Sequence, residues 1–202
     1  MNKFRFGLVF FIFFLGMYPI SSTYSFEVTP YYGFSIKDEG NFGLSRGTVN
    51  SESPRSTYFG LMLGPEFFSG SAGLDLTYYA PTVTFSDQAL ARNTKKEFVG
   101  TYLSLYGTYG FFPKDKKEYW LKVFFSFPFF ASLKPLKTDE DHFFSPSGFS
   151  LGGGVNIYKN IYLNFRYSSF EYEKYFANGS AVSTYQSNYK TTQIFSFLSF
   201  KF

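Results

Sequence analysis

TTQIFSFLSFKF, residues Thr191 to Phe202, puts Ile194, Leu198, Phe200 and Phe202 on one side of an extended chain and Gln193, Ser199 and Lys201 on the other. A period of two marks a strand with unlike surroundings on its two sides, because successive side chains leave opposite faces. Phe195 and Phe197 share the second side with the polar residues, so that side is tightly filled rather than simply wet. A closed wall, oily outside and packed inside, fits such a strand, and the same rhythm recurs along the chain.

Working back from this terminal strand, Lys190 to Phe202, seven more stretches alternate. Phe26 to Lys37 sets Val28, Tyr32, Phe34 and Ile36 against Glu27, Thr29, Tyr31, Gly33 and Ser35. Thr57 to Phe67 sets Phe59, Leu61, Leu63 and Phe67 against Tyr58, Gly60, Met62, Gly64 and Glu66. Gly73 to Thr82 opposes Leu74, Leu76 and Tyr78 to Asp75, Thr77 and Tyr79, and Phe98 to Phe111 opposes Val99, Leu103, Leu105 and Tyr109 to Gly100, Tyr102, Ser104 and Tyr106. Tyr119 to Ala131 presents Leu121, Val123, Phe125, Phe127 and Phe129 against Lys122, Phe124, Ser126 and Pro128. Ser147 to Tyr158 and Ile161 to Phe170 repeat the pattern most clearly, with Leu151, Val155, Leu163 and Phe165 on one side and Gly152, Asn156, Asn164 and Arg166 on the other. Tilted strands of about nine to eleven residues cross a bilayer. The predicted fold class is therefore all-β, an eight-stranded antiparallel up-and-down transmembrane barrel over residues 26–202.

The connections sort by length. Short turns are expected at Phe68 to Ala72, Phe112 to Glu118 and Lys159-Asn160, and long polar loops at Asp38 to Ser56, Val83 to Glu97, Ser132 to Pro146 and Glu171 to Tyr189. In barrels of this kind the short turns face the periplasm and four long loops face outward. Pro30, Pro65 and Pro128 each remove a ladder donor, which predicts bulges or strand ends there. Aromatic residues near strand ends suit the two membrane interfaces. Phe67, Phe111, Tyr119, Trp120, Tyr158 and Phe202 are assigned to the periplasmic rim, and Tyr78, Phe98, Phe129, Phe149 and Tyr167 to the outer rim.

Residues 1–25 read as a signal peptide: Lys3 and Arg5 precede the apolar run Phe6 to Tyr18, which is short for a spanning helix, and small polar residues follow. The 31 Phe and 18 Tyr among 202 residues exceed what an ordinary soluble domain of this size hides, and hydrocarbon would cover the surplus. With 19 basic and 15 acidic residues, the charges almost balance once Lys3 and Arg5 are removed, so no nucleic-acid footprint follows. The absence of cysteine excludes disulfides, thiolate chemistry and a lipidated N-terminal cysteine.

An eight-stranded barrel is just wide enough inside to be filled by side chains. The inward set carries Glu66, Asp75, Lys122 and Arg166, and enclosed charges are costly unless paired. These four are expected to neutralise one another as a charge network that plugs the lumen. Inward glycines, Gly60, Gly64, Gly100, Gly152 and Gly154, leave room for large inward rings.

On these strands the chain resembles the small eight-stranded bacterial outer-membrane proteins, the group that includes the OmpA transmembrane domain and OmpX. The resemblance covers nearly all of residues 26–202 and implies outer-membrane localisation, with membrane lipid and the barrel-assembly machinery as partners. Phe200 and Phe202 are similar to the terminal assembly signal of such proteins, although Phe197 stands where a Gly is typical. The expected role is structural, or surface interaction with an extracellular ligand through the loops; the alternatives are a narrow channel for ions or small solutes and a lipid A-modifying enzyme. For the last, the one histidine, His142, lies near Ser145, but a Ser nucleophile needs a base within reach and a group to orient that base. The supporting motifs of lipid A enzymes are absent, so no catalytic residue is assigned. Asp139, Glu140 and Asp141 lack the spacing of a calcium loop and read as a solvated tip. No metal or cofactor is expected.

Overall fold

The computed structural model describes residues 25–44, 47–52, 56–67, 69–87, 92–115, 118–135, 141–177, 180–181 and 189–202, with side chains left out over 41–52, 82–97, 113–118, 135–146 and 173–189. The expected signal peptide lies almost entirely outside the described residues. The strands are β1 (Phe26–Leu44), β2 (Gly47–Glu52), β3 (Thr57–Phe67), β4 (Gly70–Ala80), β5 (Thr82–Asp87), β6 (Arg92–Asp115), β7 (Glu118–Pro135), β8 (Asp141–Tyr158), β9 (Ile161–Ala177), β10 (Ser180–Ala181) and β11 (Tyr189–Phe200).

Eight of them close a wall in the order β1-β3-β4-β6-β7-β8-β9-β11, and β11 returns to β1, every neighbour being antiparallel. Closure removes the free edges that an open sheet would expose. At the end of the barrel that carries the chain terminus, backbone bonds from Lys201 to Asn160 (3.0 Å) and from Phe202 to Val28 (3.1 Å) tie down the last residues.

The sides of the wall follow the alternation. Tyr32, Phe34, Phe59, Leu74, Leu76, Val123, Leu151, Val155 and Phe165 point outward with relative exposures from 37% to 61%, while Tyr31, Tyr58, Asp75, Tyr79, Tyr102, Phe124 and Arg166 are buried inside. Phe98 corrects the rim assignment: it is only 2% exposed and points inward, because Gly100 and Tyr102 share its parity.

The strands outrun their predicted ends. Much of what reads as long loop in the sequence continues the wall: β1 runs on to Leu44, and β2 and β5 form a further ladder β1-β2-β5-β6 beyond the end of the β3–β4 hairpin. β8 starts at Asp141, so His142 and Ser145 lie in a strand and not in a loop, with His142 opposite Phe176. The physical reason is that backbone pairing, not side-chain alternation, holds a strand, and alternation fades once both faces are polar.

Two prolines fall where the missing N–H is tolerated. Pro65 lies opposite Phe26, the first residue of β1, and Pro128 sits beside a register shift between Leu103 and Ser104. Pro30 lies next to Tyr31↔Ser199, the first pair of the β1–β11 ladder.

Candidate functional site

The enclosed side chains form four tiers. Nearest the chain terminus, Lys122 on β7 reaches Glu27 on β1 at 3.6 Å and lies 4.3 Å from the centroid of the Tyr162 ring. Thr29 donates to the same carboxylate at 2.7 Å. Glu66 on β3 pairs with Lys201 just past β11, and Ser25 donates to its other oxygen.

Asp75 and Arg166 occupy the middle. Strand β4 turns Asp75 inward between Leu74 and Leu76, and β9 turns Arg166 inward between Phe165 and Tyr167, because each lies at the inward parity of its strand. The guanidinium donates to the carboxylate at 2.9 Å, with the two side chains 4% and 0% exposed. Tyr31 gives Asp75 a second bond at 2.7 Å and Thr77 a third at 3.3 Å. Rings of Tyr31, Phe124, Phe195 and Phe197 stand 5.1 to 5.3 Å from the guanidinium carbon. A charge pair enclosed in this way is held both by direct hydrogen bonds and by the electron-rich ring faces.

Farther from the terminus the filling becomes aromatic. Phe195 and Tyr58 stack at 4.4 Å, Tyr58 and Tyr79 at 5.2 Å, and Tyr79 and Tyr102 at 4.9 Å, all within 12° of parallel. Phe170 then meets Tyr102 at 4.9 Å with a 47° tilt, and the Tyr172 hydroxyl donates to that of Tyr102 at 3.2 Å. The run of rings crosses the interior through β11, β3, β4, β6 and β9. Glycine makes it possible: a Cβ on Gly100 would strike the Tyr79 ring, just as one on Gly60 would strike Tyr31.

Above the stack, Asp38 is buried and accepts from Ser56 at 3.3 Å and Thr191 at 3.4 Å. Its neighbours Lys37 and Glu39 point outward and pair at 3.0 Å, which places this level beyond the apolar band. Burial pushes the Asp38 carboxyl up from 3.8 to about 7, against the opposing pull of hydrogen bonds from Gln193, Ser56 and Thr191.

Of the four charges singled out in the sequence, Asp75 and Arg166 come together. Glu66 and Lys122 each take a different partner, Lys201 and Glu27. Sequence reasoning left these two partners out of the network although both have inward parity. The side chains of His142 and Ser145 lie outside the described ones, and Asp139 and Glu140 lie outside the described residues altogether.

No protein-family model matches the chain, and no curated protein matches it in sequence. Among solved structures, the outer membrane protein OprG from Pseudomonas aeruginosa aligns with a TM-score of 0.50 at 11% identity, over 88% of this chain and 95% of that one. Neisserial surface protein A (NspA) aligns at 0.49 and 12% identity, over 90% of this chain and 100% of that one. What this chain shares with OprG is the fold, a closed antiparallel barrel.

Proposed function

We propose that this chain is an integral protein of a bacterial outer membrane, axially closed by its own side chains, whose role is structural or lies in surface interaction through its outward loops. The observation that carries the reading is the inversion of sides: apolar side chains ring the outside while Asp75 and Arg166 pair deep within. Only hydrocarbon covers such an exterior without cost, and the ion pairs and stacked rings that cross the described part of the lumen support the closed interior. Phe200 and Phe202 then serve the assembly machinery as a terminal signal, and surrounding lipid is the constant partner.

Conductance of the purified chain in planar bilayers tests the closed interior. No steady current is expected from barrels that show the heat-dependent gel shift of folded material. A stable ohmic conductance would favour a narrow channel for ions or small solutes and overturn the plug.

A further inference from the structure

Asp38 lies inside the barrel only because of a bulge. Tyr31, Gly33 and Ser35 point inward, and strict alternation would carry Lys37 inward next and leave Asp38 outside. The β1–β11 register slips by one between Ser35↔Phe195 and Lys37↔Ile194, so Ile36 and Lys37 both face out and Asp38 turns into the lumen opposite Gln193. Bulges of this kind re-aim a side chain and leave one residue of the ladder unpaired.

What the bulge delivers is an acid without a base. The carboxyl is buried, and no Lys or Arg among the described residues lies against it. Lys37 and Glu39 pair with each other outside, as do Lys190 of β11 and Glu171 of β9 at 3.7 Å. The groups that do face Asp38 are uncharged: Ser56 and Tyr58 at the entry to β3, Thr191 and Gln193 on β11, and Tyr172 on β9, with Tyr102 of β6 behind Gln193.

The amide of Gln193 suits either state of its partner. With Nε2 toward Asp38 it donates to a carboxylate. Its Oε1 has no partner among the described residues, although the side chain is only 1% exposed. Turned end for end, the amide offers that oxygen to the single hydrogen of a protonated carboxyl. The Tyr102 hydroxyl, which accepts from Tyr172 at 3.2 Å, then has its own hydrogen to give to the same oxygen. The neutral acid is thus satisfied within the tier, whereas the ionised one is an enclosed charge with no counterion, and such a charge draws in water.

We infer that Asp38 is a proton-operated latch at the outer end of the plug. While it carries a proton it joins β1, β11 and the entry to β3; when it ionises, these part at the bulge and water enters the tier. The latch acts on the barrel's own filling, apart from whatever the loops meet, and the ion pairs below it stay closed in both states.

Hydrogen exchange of the chain folded in vesicles tests the latch, read as protection factors so that the intrinsic pH dependence of exchange drops out. Burial holds the closed carboxyl up at about 7, and opening returns it to its ordinary 3.8. A proton held more tightly in the closed form by that difference makes opening about thirtyfold easier at pH 8.5 than at pH 5.5. The amides of 35–40 and 191–194 are expected to lose protection by that factor, those of 161–166 to keep theirs, and Asp38→Asn to show no pH dependence. The Asp38 carboxyl carbon, followed by NMR, should titrate near pH 7. A carboxyl that titrates at its ordinary position, protection at 35–40 that is equal at the two pH values, or the same loss in Asp38→Asn would overturn the latch.

Discussion

The two halves of the barrel interior are filled by different physics. Near the chain terminus and at mid-height, charges hold the wall together: Glu27 to Lys122 and Asp75 to Arg166 across its diameter, and Glu66 to Lys201 past the one strand, β1, that lies between β3 and β11. In the other half, the rings of Phe195, Tyr58, Tyr79 and Tyr102 stack face to face with no ion pair among them. An ion pair in a dry interior is unforgiving of the loss of one member, since the survivor stays buried and unpaired. A ring stack degrades more gently, because each contact is worth about 0.5–1.5 kcal/mol beyond its area. The comparison teaches that the charged half sets which strands must face each other, while the aromatic half sets how closely they pack.

The largest expected effect breaks the charged half. Arg166→Met leaves Asp75 with Tyr31 and Thr77 but no counterion, and should lower stability by about 3–5 kcal/mol. Adding Asp75→Leu removes the orphaned charge and should restore most of the loss. Urea unfolding in lipid vesicles, followed by gel shift, reads both. If the double variant is no more stable than the single one, the pair is not what holds the two strands together.

The aromatic half should respond less. Gly100→Val drives a side chain into the Tyr79 ring directly opposite it, with an expected cost of about 2–3 kcal/mol from overpacking. Shrinking the ring with Tyr79→Val should recover part of that cost, and Gly100→Val should be less harmful in that background than alone. Additive costs in a double-mutant cycle would mean that Gly100 and Tyr79 do not share space.

What the sequence made legible and what it hid follow the same division. Strand positions at membrane height were readable because hydrocarbon and the lumen are opposite environments, so Tyr32, Phe34, Leu151 and Val155 alternate with Tyr31, Gly33, Ser150 and Asn156. Beyond that height both faces are polar, the alternation disappears, and the extensions to Leu44 in β1 and from Arg92 in β6 look like loop. Parity also tells which side a residue takes but not its height. Height depends on how far each strand is staggered against its neighbour, and bulges such as that between Ser35 and Lys37 shift it. Hence Glu66, Asp75, Lys122 and Arg166 could be assigned to the lumen, yet the partnerships of Lys122 with Glu27 and of Glu66 with Lys201 could not be read. The gap in the β7–β8 register between Ser126↔Ser150 and Ser132↔Phe144 was hidden for a related reason: Pro128 signals a break, but only the pairing of β7 with β8 shows on which flank it falls.

The smallest predicted effect lies where the aromatic half meets the polar extensions, at Asp38. The folded carboxyl keeps its proton to about pH 7, whereas the ordinary carboxyl of an unfolded chain releases it near 3.8. The favourable contribution is thus complete below about pH 3.8 and is lost as pH rises through about 7, because at higher pH the fold must bury a charge. Asp38→Asn removes this dependence. The amide still accepts from one of Ser56 and Thr191 but not from both as a carboxylate does, so only part of the cost returns, about 1–2 kcal/mol at pH 8. The difference in unfolding midpoint between the two proteins should therefore widen from pH 4 to pH 8 in favour of Asp38→Asn. A constant difference across that range would show that the buried carboxyl does not titrate there, and that the outer tier is held by packing alone.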